Sequence, residues 1–169
     1  QDGKGPVYAG GKFPLSTYLA AEVRAMLADP KRWGALPEQV ADWLSIQKAK
    51  SMLPNAGDLL VETFPRGSRH YMVAYPFEGR LAHQTLGMLL TRRLERAGAR
   101  PLGFVATDYS LAVWGHADIG ALHRSGRLPF SVLFDEDMLG DDLDAWLAES
   151  WMLKRTFRAC AVIAGLIEK

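Results

Sequence analysis

The 169 residues of this chain can bury roughly 70% of their unfolded surface, so the fold needs no metal or disulfide staple. The single cysteine excludes an intramolecular disulfide, and no apolar run approaches the roughly 18 to 20 residues of a membrane-spanning helix. The net charge of +1 hides two blocks: seven arginines against two acids over residues 66–100, and seven acids without a base over residues 135–149. The basic block favours polyanion binding, but the two blocks could equally face solvent or each other.

Two helices are predicted after an irregular, glycine- and proline-rich segment at residues 1–15. Ser16 or Thr17 caps the first helix, which ends before Asp29-Pro30. Pro37 fits the first turn of the second helix. The first helix has a predicted apolar stripe of Leu19, Val23, Met26 and Leu27. One face of the second helix is defined by Val40, Trp43, Leu44 and Gln47.

A β-hairpin is predicted next, with strands at residues 58–64 and 69–77 joined by a turn at residues 65–68. Alternation in the second strand places Tyr71 and Met72 on opposite faces. The pattern does not select which of these faces is exposed.

A helix over residues 80–97 follows, with Gly98 as its C-cap. Its core stripe comprises Leu86, Leu90, Leu94 and Ala97. The remaining predicted elements are strands at 102–107 and 110–114, a short helix at 118–124 and helical structure from Phe130 onward. This order predicts an α+β fold in which short antiparallel β-hairpins pack against several α-helices.

We expect residues 16–169 to form a single α+β domain after the irregular segment. Because the chain begins with Gln1 rather than methionine, we expect it to be a processed or excised piece. A reducing, cytoplasmic location fits the cysteine usage. Cys160 lies in an apolar helical run, which predicts a buried, unreactive thiol, and the five tryptophans are expected in the core.

No catalytic residue, metal site or cofactor is predicted for this chain. The sequence contains no phosphate-binding loop of the form GxxxxGK[ST] and no GxGxxG motif after a strand. The nearest cluster of metal-ligating residues, His116, Asp118 and His123, is interpreted as loop and helix surface. His83 shares the apolar helix stripe and is predicted to be a hydrogen-bonded core residue.

Nucleic-acid binding is the chemistry that the pattern favours. Arg66 and Arg69 flank the predicted turn, where exposed guanidinium groups can bind phosphates bidentately; a solvated hairpin tip is the alternative. Tyr8 can stack on a base, or can pack on a neighbouring domain. The candidate DNA-binding residues are Tyr8, Lys12, Arg66, Arg69, Arg80 and Arg92.

Four segments carry a family resemblance: YAGGKFPLSTYL (8–19), ETFPRG (62–67), YPFEGRLAHQTLG (75–87) and KRTFR (154–158). They resemble the helicase-associated module that follows the winged-helix domain in the large helicase-related (Lhr) family. Within that family they are most similar to the bacterial ligase-associated DEXH-box helicases. The resemblance covers nearly the whole chain and implies a family pattern that continues past Lys169.

The resemblance implies an accessory domain of an ATP-dependent 3′-to-5′ DNA repair helicase, which holds the tracking single strand. ATP and Mg²⁺ would bind two RecA-like domains outside this chain, so the fragment itself is not expected to be an enzyme. Tyr8 falls at the position of a base-stacking aromatic residue in the family. The implied partners are single-stranded DNA or a 3′-tailed duplex, the winged-helix and RecA-like domains of the parent chain, and a DNA-repair ligase system.

The competing hypothesis is an interaction scaffold. In that interpretation the arginines pair with acids of the motor or of a repair partner. The domain then braces the helicase core without touching DNA.

Overall fold

The computed structural model describes residues 15–136, 157–158 and 160–167. Its helices are α1 (Thr17–Ala28), α2 (Glu38–Lys50), α3 (Arg80–Arg96), α4 (Ile119–Arg124) and α5 (Phe130–Leu133), with a 3-10 helix at Pro30–Ala35. Its strands are β1 (Val61–Arg66), β2 (Arg69–Ala74), β3 (Pro101–Ala106) and β4 (Leu111–Gly115). They form a four-stranded antiparallel sheet in the order β1-β2-β4-β3, which confirms the predicted α+β fold. No helix in the described part of the chain has the length and apolar character that crossing a bilayer requires.

The chain divides into two compact units, each assembled from separate stretches of sequence. The first unit comprises residues 1–61, 74–84 and 106–111. The second comprises residues 62–73, 85–105 and 112–169. The single domain expected over residues 16–169 stays a prediction.

Local capping sets the helix ends of the first unit, as the sequence predicts. The Ser16 hydroxyl accepts a hydrogen bond from the backbone N–H three residues on (3.2 Å), which satisfies one free donor of α1. The Asp29 carboxylate accepts a hydrogen bond from the Lys31 N–H (3.0 Å) and starts the 3-10 helix, an element not predicted from the sequence. Within that helix Trp33 is buried, and its indole Nε1 donates to Met26 O (3.0 Å).

Helix α2 lacks the core position that its sequence predicts. None of its residues is buried, and Trp43 is 69% exposed. Ile46, one turn further along, is exposed as well. In α1 the buried residue is Ala20, whereas Leu19 of the predicted apolar face is exposed. Periodicity identifies an apolar face but not whether another element covers it, so the predicted core role of Trp43 is wrong.

The second unit has a core to which β2, α3, β4, α4 and α5 all contribute. Its largest deeply buried side chains, each no more than 2% exposed, are Met72, Leu90, Leu94, Val113, Ile119 and Leu133. Leu90 and Leu94 confirm the predicted stripe of α3, although Ala97 is exposed. Gly98 ends the helix as predicted, because its left-handed backbone (φ +73°) lets the Ala99 N–H donate to Leu94 O (2.8 Å).

The first hairpin has a tighter turn than the sequence predicts. Strand β1 continues through Pro65 to Arg66, so Gly67 and Ser68 alone form the turn instead of residues 65–68. Proline is compatible with β1 because this strand lies at the edge of the sheet, where an outward N–H is not required. Gly67 supplies the positive φ (+60°) that a two-residue hairpin turn needs.

The predicted buried thiol is wrong, because Cys160 is exposed. Among the described residues 157–158 and 160–167, Ala161 alone is buried, while Ile163 and Leu166 are exposed. An apolar helical run predicts a buried side but does not place every side chain on it.

Strand β4 ends at Gly115, where a side chain does not fit. A Cβ atom there would lie 2.9 Å from Arg100 O and 3.2 Å from Pro101 Cα, and both are backbone atoms that cannot rotate away. We expect Gly115→Ala to lower the free energy of unfolding by about 1 to 3 kcal/mol, as overpacking generally does. Urea unfolding measures this as a shift of the midpoint. Gly57→Ala is the matched control, since nothing lies within 4 Å of its Cβ position; equal midpoints for the two variants would contradict the prediction.

Candidate nucleic-acid interface

The turn of the first hairpin carries two exposed arginines. Arg66 ends β1 and Arg69 begins β2, on either side of the two-residue turn. In the described part of the chain no acidic side chain forms an ion pair with either guanidinium group. As far as the described residues are concerned, both groups are therefore available to an external anion, at the position that the sequence predicts.

The register of the hairpin decides which side chains share a face with these arginines. A two-residue turn places Arg66 opposite Arg69 and Phe64 opposite Tyr71. Alternation along each strand then puts all four side chains on one face. Met72 lies on the other face and is buried, so the Tyr71 face, which the sequence left undetermined, is the more exposed one.

A row of three stacked aromatic rings crosses this face, formed by Phe64 of β1, Tyr71 of β2 and Trp114 of β4. The ring centroids of Phe64 and Tyr71 are 5.6 Å apart and their planes differ by 5°. Those of Tyr71 and Trp114 are 6.2 Å apart, with planes that differ by 28°. We call these residues the aromatic row.

Two members of the aromatic row are not predicted from the sequence. Phe64 has no predicted role, and Trp114 is predicted in the core but lies half-buried on the row. Alternation within β1 links Phe64 to Arg66, a signal that the printed sequence contains. The adjacency of β2 and β4 has no local signal, because β3 separates them along the chain but not in the sheet.

Arg80, the first residue of α3, is paired within the first unit. Asp108 Oδ1 accepts a hydrogen bond from the Arg80 N–H (3.1 Å), and Asp108 Oδ2 lies 3.5 Å from Arg80 Nη2. The Asp108 carbonyl also accepts from the Gly79 N–H (3.1 Å). The Arg80 side chain is 57% exposed, but a phosphate bound there would share the guanidinium group with Asp108.

His83 stabilises the segment that leads into α3, which we call the junction. It belongs to the first unit and is 1% exposed. Its Nε2 accepts a hydrogen bond from the Glu78 N–H (3.1 Å), and its Nδ1 lies 2.7 Å from Thr107 O. Since an amide N–H only donates and a carbonyl only accepts, the ring carries its proton on Nδ1. The predicted role of His83 as a hydrogen-bonded core residue is confirmed.

Arg92 lies on α3 in the second unit, and its side chain is 33% exposed. Its Nη1 is 3.9 Å from Glu95 Oε2, so a phosphate would compete with this ion pair. The remaining candidates, Tyr8 and Lys12, lie outside the described residues. Among the described candidates, the two turn arginines are direct neighbours.

Two residues of the histidine–aspartate cluster singled out in the sequence, Asp118 and His123, have structural partners. Asp118 Oδ1 caps α4 by accepting a backbone N–H of its first turn (2.9 Å), and Asp118 Oδ2 lies 3.7 Å from both His70 Nδ1 and Arg124 Nη2. His123 Nδ1 accepts from the Phe130 N–H (3.1 Å). Within the described ranges, no three histidine, cysteine, aspartate or glutamate side chains are placed to hold a metal ion.

Comparison with known proteins places the chain in a family. The sequence pattern of the DEAD/H associated family matches residues 53–169, which is more than half of the chain. The chain belongs to the DEAD/H associated family. A search of curated proteins finds no match.

A solved structure shares the fold of this DEAD/H associated chain. It is that of the Mycobacterium smegmatis helicase Lhr bound to single-stranded DNA and AMP-PNP, with a TM-score of 0.67 and 19% identity over 95% of this chain. The chain spans 22% of the length of that helicase chain. At this identity the likeness shows the fold alone. Together with the family match, it confirms the resemblance to the helicase-associated module of the Lhr family.

The hydrogen bonds of His83 lead to a prediction about the free energy of unfolding. His83→Ala leaves the Glu78 N–H and the Thr107 carbonyl without their imidazole partner in a part-buried site. We expect the free energy of unfolding to fall by about 1 to 3 kcal/mol, the usual effect of leaving buried polar groups unsatisfied. His116→Ala, at an exposed histidine, is the control and should change it by roughly 0.5 kcal/mol or less. Urea unfolding curves that coincide for the two variants would show that the junction does not depend on His83.

Proposed function

We propose that this chain is an accessory DNA-binding domain of an ATP-dependent DNA helicase and contacts its tracking single strand. The observation that carries the proposal is the pair of exposed arginines at the β1–β2 turn, Arg66 and Arg69. The fold supports it, since the structural neighbour is a helicase bound to single-stranded DNA.

Guanidinium groups suit this role because they are planar, permanently charged and able to bond a phosphate through two N–H groups. Two such groups on adjacent strands, unpaired by any acid of the described residues, present a compact positive site on a chain whose net charge is only +1. In the proposal Arg80 and Arg92 add weaker contacts, because Asp108 and Glu95 already engage them. Tyr8 and Lys12 complete the proposed set.

In this proposal other domains of the parent chain hydrolyse ATP. The chain corresponds to 22% of the neighbouring helicase, and its sequence has no phosphate-binding loop motif. ATP and Mg²⁺ would bind RecA-like domains of the parent chain, and a winged-helix domain would adjoin this one. A bacterial, cytoplasmic role in DNA repair, on a 3′-tailed duplex and alongside a ligase, is the full form of the proposal. ATPase activity in the purified chain would contradict it.

The second candidate is an interaction scaffold that braces a helicase core or a repair partner without touching DNA. A specific observation favours it: α2 exposes Trp43 and Ile46 on neighbouring turns. Apolar side chains at this spacing are typical of a helix face that packs against another protein surface.

The proposal predicts that the affinity for single-stranded DNA depends on salt and that the turn arginines account for part of this dependence. We expect Arg66→Ala/Arg69→Ala to weaken binding to a labelled single-stranded oligonucleotide, measured by fluorescence anisotropy. Loss of two phosphate contacts should lower the slope of log K against log salt by about 1.4, at roughly 0.7 per phosphate. The ratio of the two affinities should therefore shrink about sevenfold between roughly 50 and 200 mM salt.

The matched control is Lys48→Ala/Lys50→Ala, which removes two exposed positive charges from α2 and keeps the same net charge as the arginine variant. It should leave the affinity close to that of the unmodified chain. If the unmodified chain does not bind single-stranded DNA at low salt, the DNA-binding proposal fails and the scaffold takes its place. An equal loss of affinity in both double variants would indicate bulk charge instead of a site at the turn.

A further inference from the structure

The aromatic row of the sheet has an open end at Phe64. We propose that an unpaired nucleobase stacks on the free side of the Phe64 ring and continues the row Trp114–Tyr71–Phe64, while neighbouring phosphates contact the turn arginines. This inference rests on the proposed function and adds to it a site on which a base stacks, whatever its identity.

The position of Phe64 in the sheet leaves one side of its ring without a strand. Tyr71 covers the other side at 5.6 Å, nearly parallel. Among the described residues strand β1 is the edge of the sheet, and none of their strands lies beyond Phe64. The residue is 41% exposed. An aromatic ring fixed in orientation by one neighbour and accessible on its other side is what a base needs for stacking.

The far end of the row is fixed by close packing. Trp114 lies against Gly103 of β3, where a Cβ atom would stand 2.9 Å from the indole Cζ2. Glycine at this position leaves the space that the indole fills, as glycine within strands often does where another group approaches closely. The three rings are therefore held by the sheet before any ligand arrives, which lowers the ordering entropy that binding must offset.

Charge on the same face selects an anionic occupant. Arg66 lies two residues beyond Phe64 on β1, about 6.6 Å along the strand, and Arg69 faces it across the turn. Glu62, the acid on this face of β1, lies about 13 Å from Arg66 along the strand. The positive end of the face is therefore the turn, where the backbone phosphates would lie. An apolar partner surface would leave both guanidinium groups without counter-charge.

The site combines one surface for a base with two contacts for phosphates, so we expect its full affinity for single strands. In a duplex both faces of a base are already stacked, so a ring cannot reach them without unpairing the strand. Every base presents a face of this kind, so the site should tolerate any sequence. The occupant is accordingly unpaired nucleic acid of unspecified sequence.

The test separates stacking from phosphate binding by using two probes on the full chain. One is fluorescein-labelled oligo(dT) of about 12 nucleotides, a length within the range of roughly 4 to 16 that a single-strand-binding OB fold covers. The other is a strand of the same length that is mostly abasic and keeps the phosphates. Phe64→Leu should weaken binding of oligo(dT) at least about fivefold, the lower end of one base–aromatic stack, and leave the abasic strand unchanged. Phe64→Trp should bind oligo(dT) as well as the unmodified chain or better.

Two controls keep the outcomes distinct. Leu102→Ala trims an exposed apolar side chain on β3, the opposite edge strand, and should affect neither probe. Arg66→Ala/Arg69→Ala should weaken both probes alike. Circular dichroism verifies that each variant is folded, and Phe64→Trp retains an aromatic ring should the leucine variant fail to fold.

Each outcome decides one of the two proposals. If the arginine variant weakens both probes but Phe64→Leu weakens neither, the stacking site is rejected and the DNA-binding function stands; the row would then be a protein-packing surface. A loss of oligo(dT) binding in Phe64→Trp equal to that in Phe64→Leu rejects stacking as well. If the unmodified chain binds neither probe, the proposed function fails and the stacking site fails with it.

Discussion

The left-handed backbone of Gly67 is the constraint on which the candidate interface depends. A two-residue turn with a positive φ fixes the register of β1 against β2. Because side chains alternate with a period of two, a slip of one residue would move every side chain of one strand to the opposite face. In the observed register Arg66, Arg69, Phe64 and Tyr71 share the exposed face, and Met72 enters the core.

The two longest family motifs of the described chain serve different physical tasks. ETFPRG (62–67) supplies one strand of the aromatic row and the first turn arginine, on a face that stays accessible. YPFEGRLAHQTLG (75–87) makes a junction held by hydrogen bonds: His83 links Glu78 to Thr107, and Asp108 receives the first N–H of α3. The arginine in the second motif is therefore partly used by its own fold, and the arginines beside the turn are not.

Whether the sequence predicts a feature depends on how far apart along the chain the interacting residues lie. The cap at Ser16, the end of α3 at Gly98 and the pairing of β1 with β2 depend on residues a few positions apart, and all were predictable. The exposure of Trp43 and Cys160 and the stack of Trp114 on Tyr71 depend on what a distant segment covers or leaves uncovered. Alternation and periodicity carry no information about such coverage, so the core prediction is wrong for Trp43. For the same reason the aromatic row is not predicted, although Phe64 and Tyr71 lie in one hairpin.

The proposed interface gains its selectivity from combining two energetic terms. Phosphate contacts are salt-dependent and independent of sequence, and duplex and single strand both satisfy them. Stacking on Phe64 is available only to a base whose face is free, so it discriminates by strandedness. Arginines alone would bind either form, and the aromatic row alone would lack the charge that attracts a strand. Their placement on one face by a single turn is what would let a small sheet bind an unpaired strand more tightly than its duplex.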